Sequence, residues 1–592
     1  MNHKLKKGKF LNKQKIFYHI NIEKPQTQTI NVTLKFDISD LKKIKIQMPV
    51  WTPGSYKIRD FSRNVSNELV KIDGKSVKFK RVDKCTWEID NFTSGKEIEF
   101  NYDVYAHEMT VRTSFVDHTQ AILNGASIFV YCPNGKENDI QLNISYPDSW
   151  KNIVTGLQFD ENKDLFFANN YDELIDTPIL IGNSEIYDFK VDKTPHQFVI
   201  VGQGNYEIKP ILKDTVTIIS KFKEIFGDLP YDKYVFITHL YDNQYGGLEH
   251  LNSCHIVYDR WQFKDRNKYI KFISLVAHEY FHTFNVKRIR PIELGPFNYQ
   301  TEHYSKMLWL AEGVTSYYDE YILKRAGIID IKEYFELLNS NFTRYFNIPG
   351  RSILSTKDSS FLAWIKLYIP DENFINNGIS YYLSGGLITL VMDLKIRELT
   401  NSKKSLDDVY KLLWQKFKVD GKGIKEQEFF NFCKDICGNE LKEIQDYLNE
   451  PKEVDFESAF EPFGIKFTPT HKKDDEKEAS WLGIQFDVKD KLIFKFVKSH
   501  GPAYLADLSP GDELIAVNKS RVTVKNRDNL LSSLSTKYEN EFLINRMGDI
   551  IKLNIRPEKQ QFNKFDLVRV ENPTESQKHL FENWLNCKWE DK

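Results

Sequence analysis

The sequence lacks the features that place a chain in or across a membrane. No run of about 18 apolar residues, the length needed to span a bilayer, occurs among its 592 residues. The basic stretch 1–15 is not followed by an apolar segment, so we expect no secretory signal. These absences predict a chain without a membrane span.

An excess of one charge sign and a cysteine framework are also missing. The 82 Lys and Arg residues nearly balance the 83 Asp and Glu residues, for a net charge of -1, so no overall field favours nucleic acid or an anionic membrane. The six cysteines are scattered without a disulfide or metal-binding pattern. We predict free, mostly buried thiols, a cytoplasmic location and no nucleic-acid partner. The sequence does not indicate an oligomeric state.

The composition is typical of a folded protein with several domains. Hydrophobic residues make up 41% of the chain and charged residues 28%, which excludes a largely disordered chain. The length exceeds what a single core supports. We predict a multidomain α+β chain with a β-sandwich-like domain at 1–208, a mainly helical domain at 209–470, a small strand-rich domain at 471–560 and a tail at 561–592.

Periodicity locates the main elements. Apolar and polar residues alternate in 30–37 and 43–48, which predicts strands, and the period becomes helical near residue 213. The charge-rich stretch 471–478 predicts a linker. A strand is expected at 234–240, with Asn267 as the N-cap of the helix that follows it. Helices are predicted at about 215–226, 267–286, 307–325, 331–345, 380–399, 405–418, 425–436 and 574–590.

The most specific motif is His-Glu-Tyr-Phe-His at 278–282, inside an apolar predicted helix. The four-residue spacing puts His278 and His282 on one face, where two imidazoles can bind one Zn²⁺ and Glu279 can activate a water. The alternative is a buried helix with two satisfied histidines and a glutamate in a salt bridge. The apolar surroundings favour zinc, because buried polar groups need a partner.

A catalytic zinc takes three protein ligands, and two downstream carboxylates compete for the third place. Glu302 lies in a loop-like segment, whereas Glu312 lies in Leu-Ala-Glu-Gly-Val on a predicted helix. We favour Glu312, because ligands on rigid elements are held better than ligands in loops. Gly313 next to it leaves room for a neighbouring helix to approach closely.

Together these segments resemble the glycyl aminopeptidase family of zinc metallopeptidases, which belongs to the thermolysin-like gluzincins. The resemblance is carried by 278–291, by Trp-Leu-Ala-Glu-Gly-Val-Thr-Ser-Tyr-Tyr at 309–318, by the segment 51–65, which begins Trp-Thr-Pro-Gly-Ser-Tyr, and by Gly-Gly-Leu-Glu-His at 246–250. It implies a thermolysin-like catalytic domain and one Zn²⁺ per chain. It also implies that Glu312 is the third ligand.

Tyr-Gly-Gly-Leu-Glu-His at 245–250 follows a predicted strand. Gly246 and Gly247 allow a substrate backbone to approach, and the Glu249 carboxylate can pair with the α-ammonium of a peptide. A tight turn with a surface glutamate is the alternative from the residues alone. The family resemblance favours the amine anchor.

Hydrolysis also needs a donor to the developing oxyanion. Alignment with related aminopeptidases indicates Tyr382 at the start of the helix 380–399, although Tyr381 could exchange roles with it and Ser384 replaces a usual lysine. Arg288 and Arg290 are expected to form salt bridges rather than orient substrate. His250 and His255 are predicted to be structural, and Asp319 is a possible support for a zinc histidine.

The segment 481–518 resembles a PDZ domain. Its Gly-Pro-Ala-Tyr-Leu-Ala helix and Ser-Pro-Gly-Asp turn fit that fold, apart from Asp507 in place of a usual glycine. In such domains the loop of Leu482, Gly483 and Ile484 would capture the carboxyl terminus of a peptide or protein partner. A domain that only docks is the alternative.

The main functional hypothesis is a zinc aminopeptidase in which Glu279 and Tyr382 are catalytic. The family name suggests Gly or Ala as the residue removed from peptide substrates. The alternatives are a PDZ-assisted zinc endopeptidase and a PDZ-type peptide-binding protein with a vestigial metal site.

Overall fold

The computed structural model describes residues 15–470, 480–559 and 564–591, apart from positions 40, 42, 91, 93, 94, 419, 420 and 489. The chain divides into two compact units, one of residues 1–304 with 410–425 and the other of 305–409 with 426–592. The predicted linker 471–478 lies outside the described residues.

The amino-terminal part of the first unit is rich in β-structure, as predicted. Its longest strands alternate buried and exposed residues, so that each buries one face. One short helix, α1 (Tyr171–Ile175), accompanies them. The strands are β1 (Ile16–Asn21), β2 (Thr29–Asp37), β3 (Ile44–Gln47), β4 (Val65–Ile72), β5 (Lys75–Val77), β6 (Lys80–Arg81), β7 (Thr86–Ile89), β8 (Glu97–Tyr105), β9 (Phe115–Val116), β10 (Gln120–Leu123), β11 (Ile140–Ser145), β12 (Asn152–Thr155), β13 (Gln158–Asp160), β14 (Leu165–Ala168) and β15 (Ile179–Gly182).

These strands form three sheets. The largest has eight strands in the order β13-β14-β11-β1-β2-β8-β4-β5, the second has the order β12-β15-β10-β9, and the third has the order β3-β7-β6. Strands β1 and β11 pair in parallel, while β1 and β2 form an antiparallel pair. The eight-stranded sheet thus joins strands from across the β-rich region into one layer.

A five-stranded sheet follows and carries much of the candidate site. Its strands β16 (Glu185–Val191), β17 (Thr194–Val201), β18 (Tyr234–Tyr241), β19 (Tyr245–Glu249) and β20 (Ser253–Asp259) lie in the order β16-β17-β18-β20-β19. It therefore contains strands from both sides of the predicted boundary at 208. Central β18 pairs in parallel with both neighbours and is buried over most of its length. Strand β19 is the edge, antiparallel to β20.

Two long helices belong to this part of the first unit, α2 (Ile208–Phe226) and α3 (Arg266–Phe281). The predicted cap of α3 is wrong: Asp265, not Asn267, accepts the N–H of Lys268 at 3.0 Å. A carboxylate at this position satisfies an open N–H of the first turn. The helix also ends at Phe281 rather than near 286, because the chain turns sharply after His282.

The second unit is mainly helical. A π-helical turn at Trp309–Gly313 leads into α4 (Val314–Arg325), where sequence predicted one continuous helix over 307–325. The other predicted helices of this region are present, with ends within about two residues. They are α5 (Ile331–Phe346), α8 (Tyr381–Thr400), α9 (Leu406–Phe417), which contains the division between the units, and α10 (Glu426–Cys437). Four shorter helices were not predicted: α6 (Thr356–Phe361), α7 (Phe374–Asn377), α11 (Lys442–Asn449) and α12 (Phe456–Phe460).

The carboxy-terminal region of the second unit has its own apolar core, built around Phe494 and Phe542. Its main sheet has the order β23-β24-β25-β27-β28, with β26 beside β25. Two short pairs, β21 with β30 and β22 with β29, flank it. The elements are β21 (Ile465–Thr470), β22 (Ser480–Trp481), β23 (Ile484–Val488), β24 (Leu492–Val497), α13 (Pro502–Leu505), β25 (Glu513–Val517), β26 (Ser520–Arg521), α14 (Arg527–Ser532), β27 (Asn540–Arg546), β28 (Asp549–Ile555), β29 (Glu558–Lys559) and β30 (Lys564–Arg569).

The predicted packing helix of the tail is present as α15 (Glu575–Leu585). Trp584 is fully buried, and its carbonyl accepts the hydroxyl of Tyr321 at 2.6 Å. The tail is therefore an integral part of the second unit.

By length and composition, the stretch 374–400 is apolar enough to cross a membrane, but 78% of its apolar window is buried inside the protein. That burial is typical of a core helix. All six cysteines are free thiols, and four of them are buried.

Candidate active site

The two histidines of the motif lie at the carboxyl end of α3. His278 is in the last helical turn, and His282 is the C-cap residue with helical backbone angles. Their rings lie 4.7 Å apart and nearly perpendicular. Both imidazoles therefore project from one face, as the spacing predicted, although the helix itself ends between them.

The loop after α3 orients His282. Its Nδ1 donates to the carbonyl oxygen of Asn285 at 2.8 Å, which leaves Nε2 with the lone pair that a metal requires. The hydroxyl of Tyr410 donates to Oδ1 of the same asparagine at 3.2 Å. Val286 then adopts a φ of 118°, a conformation that β-branched residues rarely take. The orientation of His282 thus depends on a strained, hydrogen-bonded turn.

Glu279 is buried against the edge strand. Gly247 on β19 has no side chain, and a Cβ there would lie 2.1 Å from Oε1 of Glu279. Any other residue at 247 would force the Glu279 side chain to move. One oxygen of Glu249, one oxygen of Glu279 and a ring nitrogen of His282 lie within 4.8 Å of one another. The proposed amine anchor, the proposed base and one proposed ligand therefore form one cluster.

Glu249 is a buried carboxylate, 5% exposed, that makes no hydrogen bond or ion pair with another described residue. It abuts Gly54, where a Cβ would lie 2.6 Å from Oε1 of Glu249. Gly54 also has a φ of 82°, which favours glycine. A buried carboxylate without a partner is costly, so this position suits a cationic ligand.

In the second unit, Glu312 lies in the π-helical turn and is 2% exposed. The adjoining Gly313 touches helix α8: a Cβ there would lie 2.7 Å from Gly385 and 2.9 Å from the carbonyl of Tyr381. The close helix approach expected from the sequence is therefore present. A π-turn is often found where a functional side chain must be placed off the α-helical path.

Tyr382 lies at the start of α8, close to Glu312. Burial, and then the charge of Glu312, raise the pKa of the Tyr382 phenol well above its usual value. Its hydroxyl lies 3.2 Å from that of Tyr368. Tyr381 stacks on Tyr382 but is fully buried, whereas Tyr382 is half-buried. Of the two candidates, Tyr382 is the less buried residue, and its high pKa keeps it protonated as a donor.

The two arginines after the motif donate hydrogen bonds to backbone carbonyls. The expectation that they form salt bridges is therefore wrong. Arg288 donates to the carbonyls of Leu251, Thr283 and Pro230, and burial lowers its pKa to about 10. Arg290 likewise donates to two backbone carbonyls. Because carbonyl oxygens of the neighbouring loops accept from both guanidiniums, neither arginine needs a carboxylate as a hydrogen-bond partner.

Other candidates stay outside the cluster. Glu302 belongs to no group of three metal-binding side chains among the described residues. His255 bonds His239 at 2.9 Å, and burial lowers its pKa well below the usual value. His250 lies 3.5 Å from Asp176. Asp319 lies on α4, and its role as a histidine support remains a prediction.

Sequence reasoning missed three contributors to the site. Gly54 was noted only within a family signature, yet its Pro-Gly turn signal could have indicated the positive φ. Asn285 acts through its backbone carbonyl, which no side-chain pattern reveals. Tyr410 reaches Asn285 from far along the chain, and nothing local marks that contact.

Comparisons with known proteins show what the chain and its fold are similar to. Residues 17–183 match the family model of the peptidase M61 N-terminal domain, and residues 271–388 match that of the M61 glycyl aminopeptidase. The structure superposes on an aminopeptidase N family protein from Idiomarina loihiensis with a TM-score of 0.90 and 28% identity, over 96% of this chain and 100% of that one. Comparison with curated proteins gave no match.

More distant solved structures are also similar. An M1 zinc metallopeptidase variant from Deinococcus radiodurans with a bound Tyr-Ser-Ala substrate matches at a TM-score of 0.49 and 11% identity, over 75% of this chain and 94% of that one. Aminopeptidase A from Legionella pneumophila, in complex with aspartic acid, matches at 0.46 and 11%, over 74% and 49%.

Proposed function

The chain belongs to the M61 glycyl aminopeptidase family and is a peptidase, and on that premise we propose that it is a zinc-dependent aminopeptidase acting on peptides with small amino-terminal residues, such as Gly or Ala. One observation carries the proposal: the Glu249 carboxylate lies within 4.8 Å of both Glu279 and His282. If Glu249 binds the α-ammonium, only the first residue of a peptide fits between this carboxylate and Glu279, the group that activates water.

We propose that His278, His282 and Glu312 hold one zinc ion. Two imidazoles and a carboxylate are the ligand set of thermolysin-like zinc sites, and the set leaves a position open. The fit is supported by the Nδ1–H of His282, which is fixed on a carbonyl so that Nε2 faces away from it. When bound, zinc supplies a Lewis acid and lowers the pKa of a coordinated water.

The residues around that ion divide the remaining tasks. Glu249 pairs with the α-ammonium and sets the position of the first peptide bond. Glu279 takes a proton from the attacking water and passes it to the leaving amine. The Tyr382 phenol, kept protonated by burial and by Glu312, donates a hydrogen bond to the developing oxyanion. Gly246 and Gly247 let the peptide backbone lie against the edge strand β19.

The test compares Ala-Ala-Ala with its N-acetylated form, using protein reconstituted with zinc. We expect cleavage of the free peptide only, because acetylation removes the ammonium that Glu249 binds. Glu279→Gln should keep its zinc and lose at least about 10²-fold in rate. Equal cleavage of both peptides would instead establish the endopeptidase alternative, and undiminished activity of Glu279→Gln would refute the mechanism.

For the carboxy-terminal domain we propose a PDZ-like peptide-binding role. Strand β23 is at the edge of its sheet, where an extended peptide can add. The carbonyls of Leu482 and Gly483 accept from Ala503 and Lys498, which fixes the loop that leads into Ile484. A titration with peptides ending in a free carboxylate tests this role. If no peptide binds, the domain only docks, through contacts such as the hydrogen bond from Asn376 to the Val497 carbonyl at 3.0 Å.

The cytoplasmic location also remains a proposal. The six free thiols support it, because they fit a reducing compartment. Fractionation of the native cells, with detection of the protein in the soluble cytoplasmic fraction, is the corresponding test.

A further inference from the structure

Arg112, in the β-rich part of the first unit, has a guanidinium without a partner among the described residues. It makes no side-chain hydrogen bond or ion pair with another described residue, and its Nε is completely buried. Burying a charged donor group without a hydrogen bond costs free energy. Such a group in the fold suits an anion supplied from outside.

The position of Arg112 is fixed by its neighbours. Val111 packs with Leu248 of β19 and Val257 of β20 in a small buried cluster. The N–H of Arg112 donates to Oγ1 of Thr110 at 3.1 Å, and Thr110 bonds Thr113 at 2.7 Å. The turn is thus anchored on the edge strand, and its arginine is held there.

The guanidinium meets β19 at Gly246. A Cβ on Gly246 would begin 3.9 Å from Nη1 of Arg112. Successive strand residues face opposite sides, so Gly247 faces Glu279 while Gly246 faces Arg112. A peptide main chain paired along this open edge lies between the two faces, within reach of side chains from both.

Among the residues that the structure describes, no carboxylate pairs with Arg112. Burial, and then the charges of His239, His250 and Arg112, lower the pKa of His255, so this neighbouring histidine stays neutral. Glu108, close in sequence, pairs instead with Arg63 at 3.6 Å. A bound ligand can supply the anion that the described residues do not.

The spacing along β19 defines that ligand. Glu249 and Gly246 are three residues apart, or about 10 Å at ~3.3 Å per residue. An extended peptide of two or three residues has nearly this length between its ammonium and its carboxylate. With its ammonium at Glu249 it would run antiparallel to β19 and end beside Arg112.

We propose that Arg112 binds the carboxy-terminal carboxylate of di- and tripeptide substrates, so that the enzyme reads both ends of a short peptide. This inference rests on the proposed function for the location of the ammonium. Arg112 is then a specificity-determining residue on the leaving-group side of the scissile bond.

The experiment measures binding by calorimetry to the zinc-loaded Glu279→Gln variant, which does not consume the ligand. Ala-Ala-Ala should bind at least about tenfold more tightly than Ala-Ala-Ala-amide, as expected for a charge-assisted hydrogen bond. Adding Arg112→Gln should remove the preference, and Arg112→Lys should retain part of it. Equal binding of acid and amide, or a preference that survives Arg112→Gln, would overturn the proposal.

Two controls separate the possible failures. Ala-p-nitroanilide has no carboxylate, so Arg112→Gln in the otherwise wild-type enzyme should cleave it within twofold of the wild-type rate. Absence of that activity in the wild type would contradict the proposed aminopeptidase, while the binding preference still reports on Arg112. Tighter binding of Ala-Asp-Ala-amide than of Ala-Ala-Ala would refute the assignment to the terminal carboxylate.

Discussion

The carboxyl end of α3 and the π-helical turn at Trp309–Gly313 both present proposed zinc ligands, but they hold them by different means. His282 is oriented by hydrogen bonds within an irregular turn, through the Asn285 carbonyl. Glu312 is placed by backbone-to-backbone packing, where Gly313 meets Gly385. The first arrangement depends on polar contacts and local strain, and the second on the absence of two side chains. Mutations should therefore affect the two segments differently.

The largest effect is expected from removing a ligand itself. His282→Ala should abolish tight zinc binding and reduce activity by at least about 10³-fold, because the metal provides several kcal/mol of transition-state stabilisation. Metal analysis and kcat/KM measure both. His250→Ala is the control, since His250 is buried near Asp176 and outside the cluster, and it should keep its zinc. If His250→Ala lost its zinc and His282→Ala kept it, the assignment of His282 as the zinc ligand would be wrong.

The next effect concerns the phenol beside the π-turn. Tyr382→Phe should lower kcat by about 10²-fold with little change in zinc content, because an oxyanion donor acts mainly in the transition state. Tyr381→Phe, on the adjacent and fully buried ring, should have a much smaller effect. If the two variants exchange these phenotypes, Tyr381 is the donor.

Packing at the π-turn should be sensitive to a single methyl group. Gly313→Ala introduces a Cβ 2.7 Å from the Gly385 backbone and should destabilise the fold by about 1–3 kcal/mol. Gly386→Ala is the matched control, because its Cβ would meet its nearest neighbour at an ordinary 3.4 Å. That change should be neutral or stabilising by up to about 1 kcal/mol, since alanine favours helices. Thermal unfolding distinguishes them, and equal stability of the two variants would contradict the packing account.

The smallest effect is expected at the turn after α3. Tyr410→Phe removes the hydrogen bond to Asn285 and should weaken zinc binding by about tenfold, while costing only about 1 kcal/mol of stability. Tyr447→Phe removes a shorter hydrogen bond, from another tyrosine to Glu443 in the second unit, and should leave zinc affinity unchanged. Competition with a chelator measures the affinity. An unchanged affinity in Tyr410→Phe would show that the turn does not depend on this bond.

The contrast between the end of α3 and the π-helical turn also shows which features of the site could be predicted from the sequence. The spacing of His278 and His282 and the Glu312-Gly313 pair are local patterns with a physical meaning, and the structure presents these residues on helical ends. The end of α3 was not predictable, because valine at 286 gives no signal for a φ of 118°. The approach of Gly54 to Glu249 was also hidden, since residues distant in sequence meet only after the strands have paired.

The central claim is that these two differently held segments bind the same zinc ion. Its most direct test is the zinc content of purified Glu312→Gln and Glu302→Gln after dialysis against a weak chelator. We expect Glu312→Gln to lose most of its zinc and Glu302→Gln to retain one ion per chain. Retention by Glu312→Gln together with loss from Glu302→Gln would contradict the account.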